Sequence, residues 1–527
     1  MSTSTAAENS TWRPGANPWL IAVVVTLAAF MEVLDTTIVN VALPHIAGSL
    51  SASTDESTWT LTSYLVANGI VLPISGFLTR LFGRKRFFLI CIAMFTVASF
   101  LCATASSLPQ IIIYRLMQGF FGGGLQPSQQ AIILDTFPSS KRAQAFAVTA
   151  IATIVAPVLG PTIGGWITDN YSWRWIFLIN VPIGLLAVIG VAMLVEDPPH
   201  LASDRGRPSV DYVGLGFIIL ALGSFQVMLD RGEDADWFQS TSICVLAAMA
   251  AVGLIGAISW LLCAKEPIVK LRVFADRNFA LGCVTMAAMS FVLYSSSVLT
   301  PQLAQQGLGY TATLAGLVLT PGAAALIVLI VVVGKIIPHV QTRYIIVFGF
   351  LFLSGAFYYS SGLTPNIDFG TLVKMRIAQT LGLGFLFVPI STIAYQTLSP
   401  RLNADATALF TMFRNVAGSV GISVATALVT TQTQVRMAYL SPNLTSLSEP
   451  YRQTLAAITQ TLRLVGTPAL QAAQGAIGSI YQELLSQAQL LAYADAFTAC
   501  AVASLLVAPL AFFFSASKAG SGVAPMH

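Results

Sequence analysis

The chain has 527 residues, of which 55% are hydrophobic and only 9% charged, with a formal net charge of +4 and a mean hydropathy of +0.76. Ordinary globular proteins carry roughly 25% charged residues, so a soluble fold is excluded. The basic residues are scattered over short loops, which excludes a nucleic-acid surface. What remains is an integral protein of the lipid bilayer. Residues 1–17 are polar with Arg13 as their only basic residue, so the first apolar stretch reads as a retained span and not as a cleaved signal.

In chain order, apolar segments fall at 18–43, 59–79, 87–107, 110–134, 143–168, 175–195, 212–229, 241–263, 279–302, 314–337, 344–361, 370–396, 406–431 and 492–515. A hydrocarbon layer of ~30 Å needs about 20 helical residues. Lipid leaves no solvent for open backbone groups, so fourteen transmembrane helices are expected. With a cytoplasmic N-terminus, the inside loops and tails hold Arg13, Arg80, Arg84, Lys85, Arg86, Lys141, Arg142, Arg205, Arg207, Lys265, Lys270, Arg272, Arg277, Lys335, Arg343, Arg401 and Lys518. The other side holds only Arg174, Arg231, Lys374, Arg436, Arg452 and Arg463. Both termini are therefore expected inside.

Arg115, Gln118 and Gly122 recur as Arg376, Gln379 and Gly382, and the loop Gly76 to Lys85 is echoed by Gly334 to Arg343. Such repeats point to a secondary transporter whose two halves rock about a midplane site. The expected organisation is a tail 1–17, a six-helix bundle 18–195, a linker 196–265 with two inserted helices, a second bundle 279–515 and a tail 516–527. The stretch 432–491 reads as a pair of surface helices lying on the membrane, or as a docking surface for another protein.

Charges inside spans are costly, about 3 kcal/mol or more each, and mark function. Glu32 and Asp35 lie at i and i+3 on one helix face, and two carboxylates so close in an apolar wall are expected to share or exchange a proton. Arg115 needs a partner, and Asp35 is the economical one, with Gln118 a turn further on. Glu32, Asn40, Gln126, Arg376, Gln379, Arg414 and Asn415 are expected to line the substrate cavity. Asp495 reads as a carboxylate opening the last span. "APVLGPTIGG" (156–165) sets Ala156, Gly160 and Gly164 on one stripe, with Pro161 and Gly165 beside it, for a close bent contact between the halves. "GFLTRLFGRK" (76–85), with Gly76, Gly83 and Arg84, reads as a hinge whose arginines meet helix ends or acids of the other half. The histidines and the six cysteines form no ligand spacing, and no nucleotide-binding glycine motif occurs, so neither an enzyme site nor a cofactor is expected and the energy comes from a gradient.

These strings carry a resemblance. "LDTTIVNVALPHI" (34–46), "RLMQGFFGGG" (115–124), "LGPTIGG" (159–165), "WRWIFLINVPIG" (173–184), "LDRGEDADWF" (229–238), "GYTATLAGL" (309–317) and "LLAYADAF" (490–497) are together similar to the fourteen-span drug:proton antiporters of the major facilitator superfamily, of the EmrB type. The resemblance implies an all-α major facilitator fold and export of lipophilic drugs in exchange for protons. Its span 1 and span 4 residues, here Asp35, Arg115 and Gln118, would carry the coupling. It also implies a bacterial inner-membrane location and a tripartite pump with a periplasmic adaptor protein and an outer-membrane channel. A narrower exporter of a fatty acid, antibiotic or siderophore is the alternative. The chain departs from the pattern at Arg80, where the superfamily usually has Asp, at Ala147, Ala156 and Thr380, where it has Gly, and at Glu32, where it is usually uncharged.

Overall fold

The structure, a computed structural model, describes residues 14–150, 154–197, 210–337, 339–365, 367–399, 402–445 and 448–515. Residues 1–13 and 516–527 of the expected tails, with Arg13, Arg205, Arg207, Arg401 and Lys518, lie outside the described residues.

Backbone satisfaction in lipid dictates helices, and the described chain is helical nearly throughout. The first half contains α1 (Pro18–Ser49), α2 (Trp59–Phe82), α3 (Arg84–Thr104), α4 (Leu108–Gly122), α5 (Leu125–Thr136), α6 (Arg142–Ala150), α7 (Ala156–Asn170) and α8 (Trp175–Leu194). Next come α9 (Tyr212–Arg231) and α10 (Thr241–Cys263). The second half contains α11 (Arg277–Gln302), α12 (Ala312–Ile336), α13 (Thr342–Ser361), α14 (Phe369–Ala394), α15 (Asn403–Leu440), α16 (Glu449–Leu464) and α17 (Ala469–Val507). Among the described residues, 12 helices are long and apolar enough to cross a membrane. The expected segment 110–134 falls outside that set because it holds two shorter helices, α4 and α5; of 143–168, the described parts are α6 and α7, on either side of residues 151–153, which lie outside the described residues.

The two bundles meet along two seams, α2 against α15 and α7 against α12, and α9 packs over the first seam against both α2 and α15. Buried positions on α1, among them Ile21, Val25, Ala28, Met31, Asp35, Ile38, Ala42 and Ile46, recur every three or four residues, so one face turns into the protein.

The glycine stripe on α7 serves a different contact from the one expected. A Cβ at Gly164 would lie 2.8 Å from Ile38 Cγ1 and 2.9 Å from Ile38 O, and one at Gly160 would overlap Thr37, so the stripe packs on α1 within its own half. The close contact between halves uses Gly316 of α12, where a Cβ would meet Thr162 Oγ1 at 2.7 Å. Pro161 lies inside α7 and Gly165 is buried beside the stripe. Gly164→Leu is expected to push α7 off α1, costing about 1–3 kcal/mol or more. A drop of several degrees in the melting temperature of the purified protein, with transport lost in parallel, checks it; an unchanged melting temperature contradicts it.

The stretch 432–491 does not lie flat. α15 has 38 residues and α17 has 39, each about 57 Å long at 1.5 Å per residue, nearly twice the hydrocarbon thickness. They pack against each other and project beyond the bilayer as a stalk, with the amphipathic α16 laid against α17. Asp495 accordingly opens no span. It sits within α17 and accepts three bonds from Arg436 of α15, from Nε at 3.0 Å to Oδ2 and from Nη2 at 2.8 Å to each carboxylate oxygen, which clamps the two long helices together.

Candidate functional site

A cavity of about 630 Å³ lies between the halves. Its walls come from α1, α2, α5 and α7 on one side, α11 and α15 on the other, and α9 at the seam. Exposed lining residues such as Asn40, Pro44, His45 and Asp169 mark its opening at the end where α1 terminates. Glu32, Tyr64, Gln126, Tyr294 and Asn415 also line it.

The opposite end is sealed. Arg80, at the end of α2, pairs with Asp405 at the start of α15, and Lys270 stands 3.9 Å from the same carboxylate. Arg84 pairs with Asp135, which also accepts from Asn403 Nδ2 at 2.9 Å. Tyr395 donates to Gln130 Oε1 at 3.0 Å and stacks on Phe146. A Cβ at Gly76 would stand 3.0 Å from the Asp405 Cα, so glycine admits α15 against α2 there. Gly83 joins α2 to α3 at φ 83°, a left-handed conformation that favours glycine. The acid that the family pattern puts at Arg80 is thus supplied across the seam by Asp405.

Glu32 and Asp35 hold separate sets of hydrogen-bond partners, because a three-residue step turns them into different walls. Asp35 is fully buried behind the cavity. Arg115 Nη1 donates to its Oδ2 at 2.6 Å, while Gln118 Nε2 at 2.9 Å and Asn180 Nδ2 at 2.7 Å donate to Oδ1. Arg115 also donates to Gln118 Oε1 at 2.7 Å and to the Thr60 carbonyl at 3.0 Å. Glu32 faces the cavity and accepts from Tyr64 Oη and Asn68 Nδ2, both at 3.1 Å, and from Gln126. Tyr64 connects the two groups: its hydroxyl holds Glu32, while the Arg115 guanidinium lies 4.1 Å from its ring centroid, a cation–π contact.

Three residues expected on the cavity wall are elsewhere. Arg376 and Gln379 are buried inside the second bundle, where Arg376 Nη1 donates to Ser296 Oγ at 3.1 Å and Gln379 Nε2 donates to Ser360 Oγ at 2.9 Å. The repeat therefore preserves their place next to the bundle interior, as for Arg115 and Gln118, and not a place on the cavity. Arg376 has no carboxylate partner among the described residues. Arg414 is buried behind Asn415, to whose Oδ1 it donates at 3.1 and 3.2 Å, and it acts electrostatically on Glu32 and Tyr294.

Asn180, Tyr64, Asn68, Asp135 and Asp405 were not singled out by the sequence. Asn180 and Asn68 had a usable signal, each the lone amide of an apolar segment; Tyr64 lies beside Thr60, Thr62 and Ser63, and Asp135 and Asp405 sit at segment ends. Asp230, from the acidic loop 229–238, lines the cavity and accepts from Thr62. Among the described residues no cluster of His, Cys, Asp or Glu could hold a metal ion.

Two helical bundles around a cavity open at one end, with a carboxylate–guanidinium pair buried beside it, define a multi-pass membrane carrier. The major facilitator superfamily model matches residues 25–422. The chain is 35% identical to the multidrug export protein EmrB of Escherichia coli (strain K12), over 96% of this chain and 98% of that one. It is 36% identical to the fatty acid resistance protein FarB of Neisseria gonorrhoeae, over 82% and 85%. The crystal structure of the human organic anion transporter MFSD10 superposes with a TM-score of 0.59 at 13% identity, covering 94% of this chain and 99% of that one, a likeness of fold. The chain belongs to the major facilitator superfamily and, within it, to the EmrB-type multidrug efflux permeases, which are carriers and not enzymes.

Proposed function

We propose that this protein is a proton-coupled antiporter that exports lipophilic drugs across the bacterial inner membrane by alternating access. The observation that carries the reading is the placement of two separately held acids. Asp35 is locked to Arg115 out of reach of solvent, Glu32 stands in the cavity, and Tyr64 touches both sets. Proton arrival at Asp35 weakens its hold on Arg115, the guanidinium shifts against the Tyr64 ring, and the grip on Glu32 and its ligand changes. Gln118 and Asn180 keep the carboxylate oriented. Asn40, Gln126 and Asn415, with Asn68, Gln226 and Gln302, provide polar contacts, and Val33, Leu65, Leu72, Val298, Val416 and Ile422 provide apolar wall suited to varied lipophilic molecules.

Counting α4 with α5, and α6 with α7, as one span each gives fourteen, arranged as bundles 18–195 and 279–515 with the inserted helices inside 196–265. An even count and the Lys/Arg bias favour both termini in the cytoplasm, which makes this the outward-open state, latched on the cytoplasmic side by Arg80, Arg84, Asp135 and Asp405. The stalk of α15, α16 and α17 then projects into the periplasm, where the adaptor protein of a tripartite pump with an outer-membrane channel would dock. FarB favours a second reading, export of fatty acids.

Dye efflux from energised cells is the test: dissipating the proton gradient with an uncoupler should stop it, and efflux at an unchanged rate overturns the antiport. Competition by a fatty acid at concentrations that spare cationic dyes would favour the second reading.

A further inference from the structure

The loop between α12 and α13 is the second-half echo of the loop that latches α2 and α3 to the rest of the protein, and it has been left electrically unmatched. In the first half, Arg80 and Arg84 are taken up by Asp405 and Asp135. In the second half, Lys335 and Arg343 flank the equivalent turn, and α12, α13 and α14 contain no carboxylate. Among the described residues neither cation has an ion-pair partner.

At the same place α13 begins without a side-chain cap at Gln341, leaving the free N–H groups that attract anions. Thr342, its first residue, is only 1% exposed, yet its Oγ1 has no hydrogen-bond partner, and Arg343 Nε is likewise unpartnered. The Arg343 guanidinium is held over the neighbouring ring, 4.9 Å from the Tyr344 centroid, with Nη2 donating to the Tyr344 hydroxyl at 3.1 Å.

Directly below, an apolar groove of about 250 Å³ runs from Val340 and Tyr344 down to Phe348 and Phe385. Tyr344 and Phe348 are about half exposed along it, and Phe348 meets Phe385 edge to face at 5.0 Å. Headgroup chemistry thus sits at the helix start and chain chemistry deeper in the bilayer, in the order in which a phospholipid presents them.

We propose that this is a specific site for an anionic phospholipid of the adjoining leaflet. Its phosphate is bound by Lys335, Arg343, Thr342 Oγ1 and the first N–H groups of α13, and one acyl chain lies in the groove. Charge complementarity selects the anionic headgroup, since a zwitterionic lipid brings a cation of its own to the lysine and arginine. The ordinary explanation, that these cations only orient the protein in the membrane, predicts no preference tied to this loop.

Native mass spectrometry of the delipidated full-length protein, titrated with phosphatidylglycerol and phosphatidylcholine of identical chains, tests the site. Wild type should bind phosphatidylglycerol about tenfold or more tightly than phosphatidylcholine, given the roughly fivefold gain expected from each cation near an anionic headgroup. Lys335→Gln/Arg343→Gln should bring the ratio to about one, and Thr342→Val should lower it partway. Lys265→Gln/Arg272→Gln, on the same side of the protein, should leave it unchanged. Glycerol phosphate at millimolar concentration should not displace the lipid. The proposal is overturned by equal affinities in wild type, by a preference that survives Lys335→Gln/Arg343→Gln, by its equal loss in the control variant, or by displacement with glycerol phosphate.

Discussion

Asp35→Asn abolishes proton-driven drug export, with efflux in vesicles falling to that of vesicles lacking the protein, while drug binding to the purified variant persists. The carboxylate has no solvent contact and three side chains donate to it, from Arg115, Gln118 and Asn180. Asparagine can neither ionise nor balance Arg115, and it must turn a donor toward at least one of these amides. Removing one partner of a buried ion pair costs about 3–5 kcal/mol, so the amount of protein in the membrane must be measured beside its activity. A purely structural strut predicts that folded protein and transport vanish together. Export at the wild-type rate by Asp35→Asn protein would remove the basis for proton coupling through this pair.

The second large effect concerns selectivity. Glu32 supplies the negative charge at the inner end of the cavity, with the buried Arg414 acting on it from the opposite half. Glu32→Gln removes this carboxylate's attraction for a cationic ligand and its interaction with Arg414. A hydrogen bond to a charged group contributes about 1.5–3 kcal/mol, so affinity for cationic drugs should fall about 10- to 100-fold. Tyr64, Asn68 and Gln126 remain to hold the glutamine, and neutral drugs should bind within about twofold of wild type. Equal losses for cationic and neutral compounds would show that Glu32 shapes the chamber without selecting charge.

The pairing of Asp35 with Arg115 was legible in the sequence because an intramembrane charge demands a counter-charge and few were on offer. Glu32, Asn40, Gln126 and Asn415 were legible as cavity groups for a similar reason, as polar residues in apolar runs. Arg376 and Gln379 were misplaced because a repeat in sequence preserves position in the bundle and says nothing about which half contributes to a cavity. Arg414 was misplaced by one helical step, Asn415 taking the wall and the arginine the space behind it.

The sequence by itself determined the membrane class, the succession of apolar helices, the internal repeat and the identity of the buried ion pair. Each follows from a one-dimensional quantity, the run length of apolar residues or the scarcity of charge. Only the tertiary structure decided the rest. It separated Glu32 from Asp35, because a three-residue step leaves side chains about 60° apart around a helix axis, enough to face different walls. It brought Asp405 to Arg80 and Asn180 to Asp35 across long stretches of chain. It also carried α15 and α17 past the bilayer as one stalk, because a helix rich in Ala, Gln and Leu has no reason to stop where its hydropathy falls. Contacts between distant segments depend on how helices are rotated and tilted against one another, and no local pattern encodes those angles.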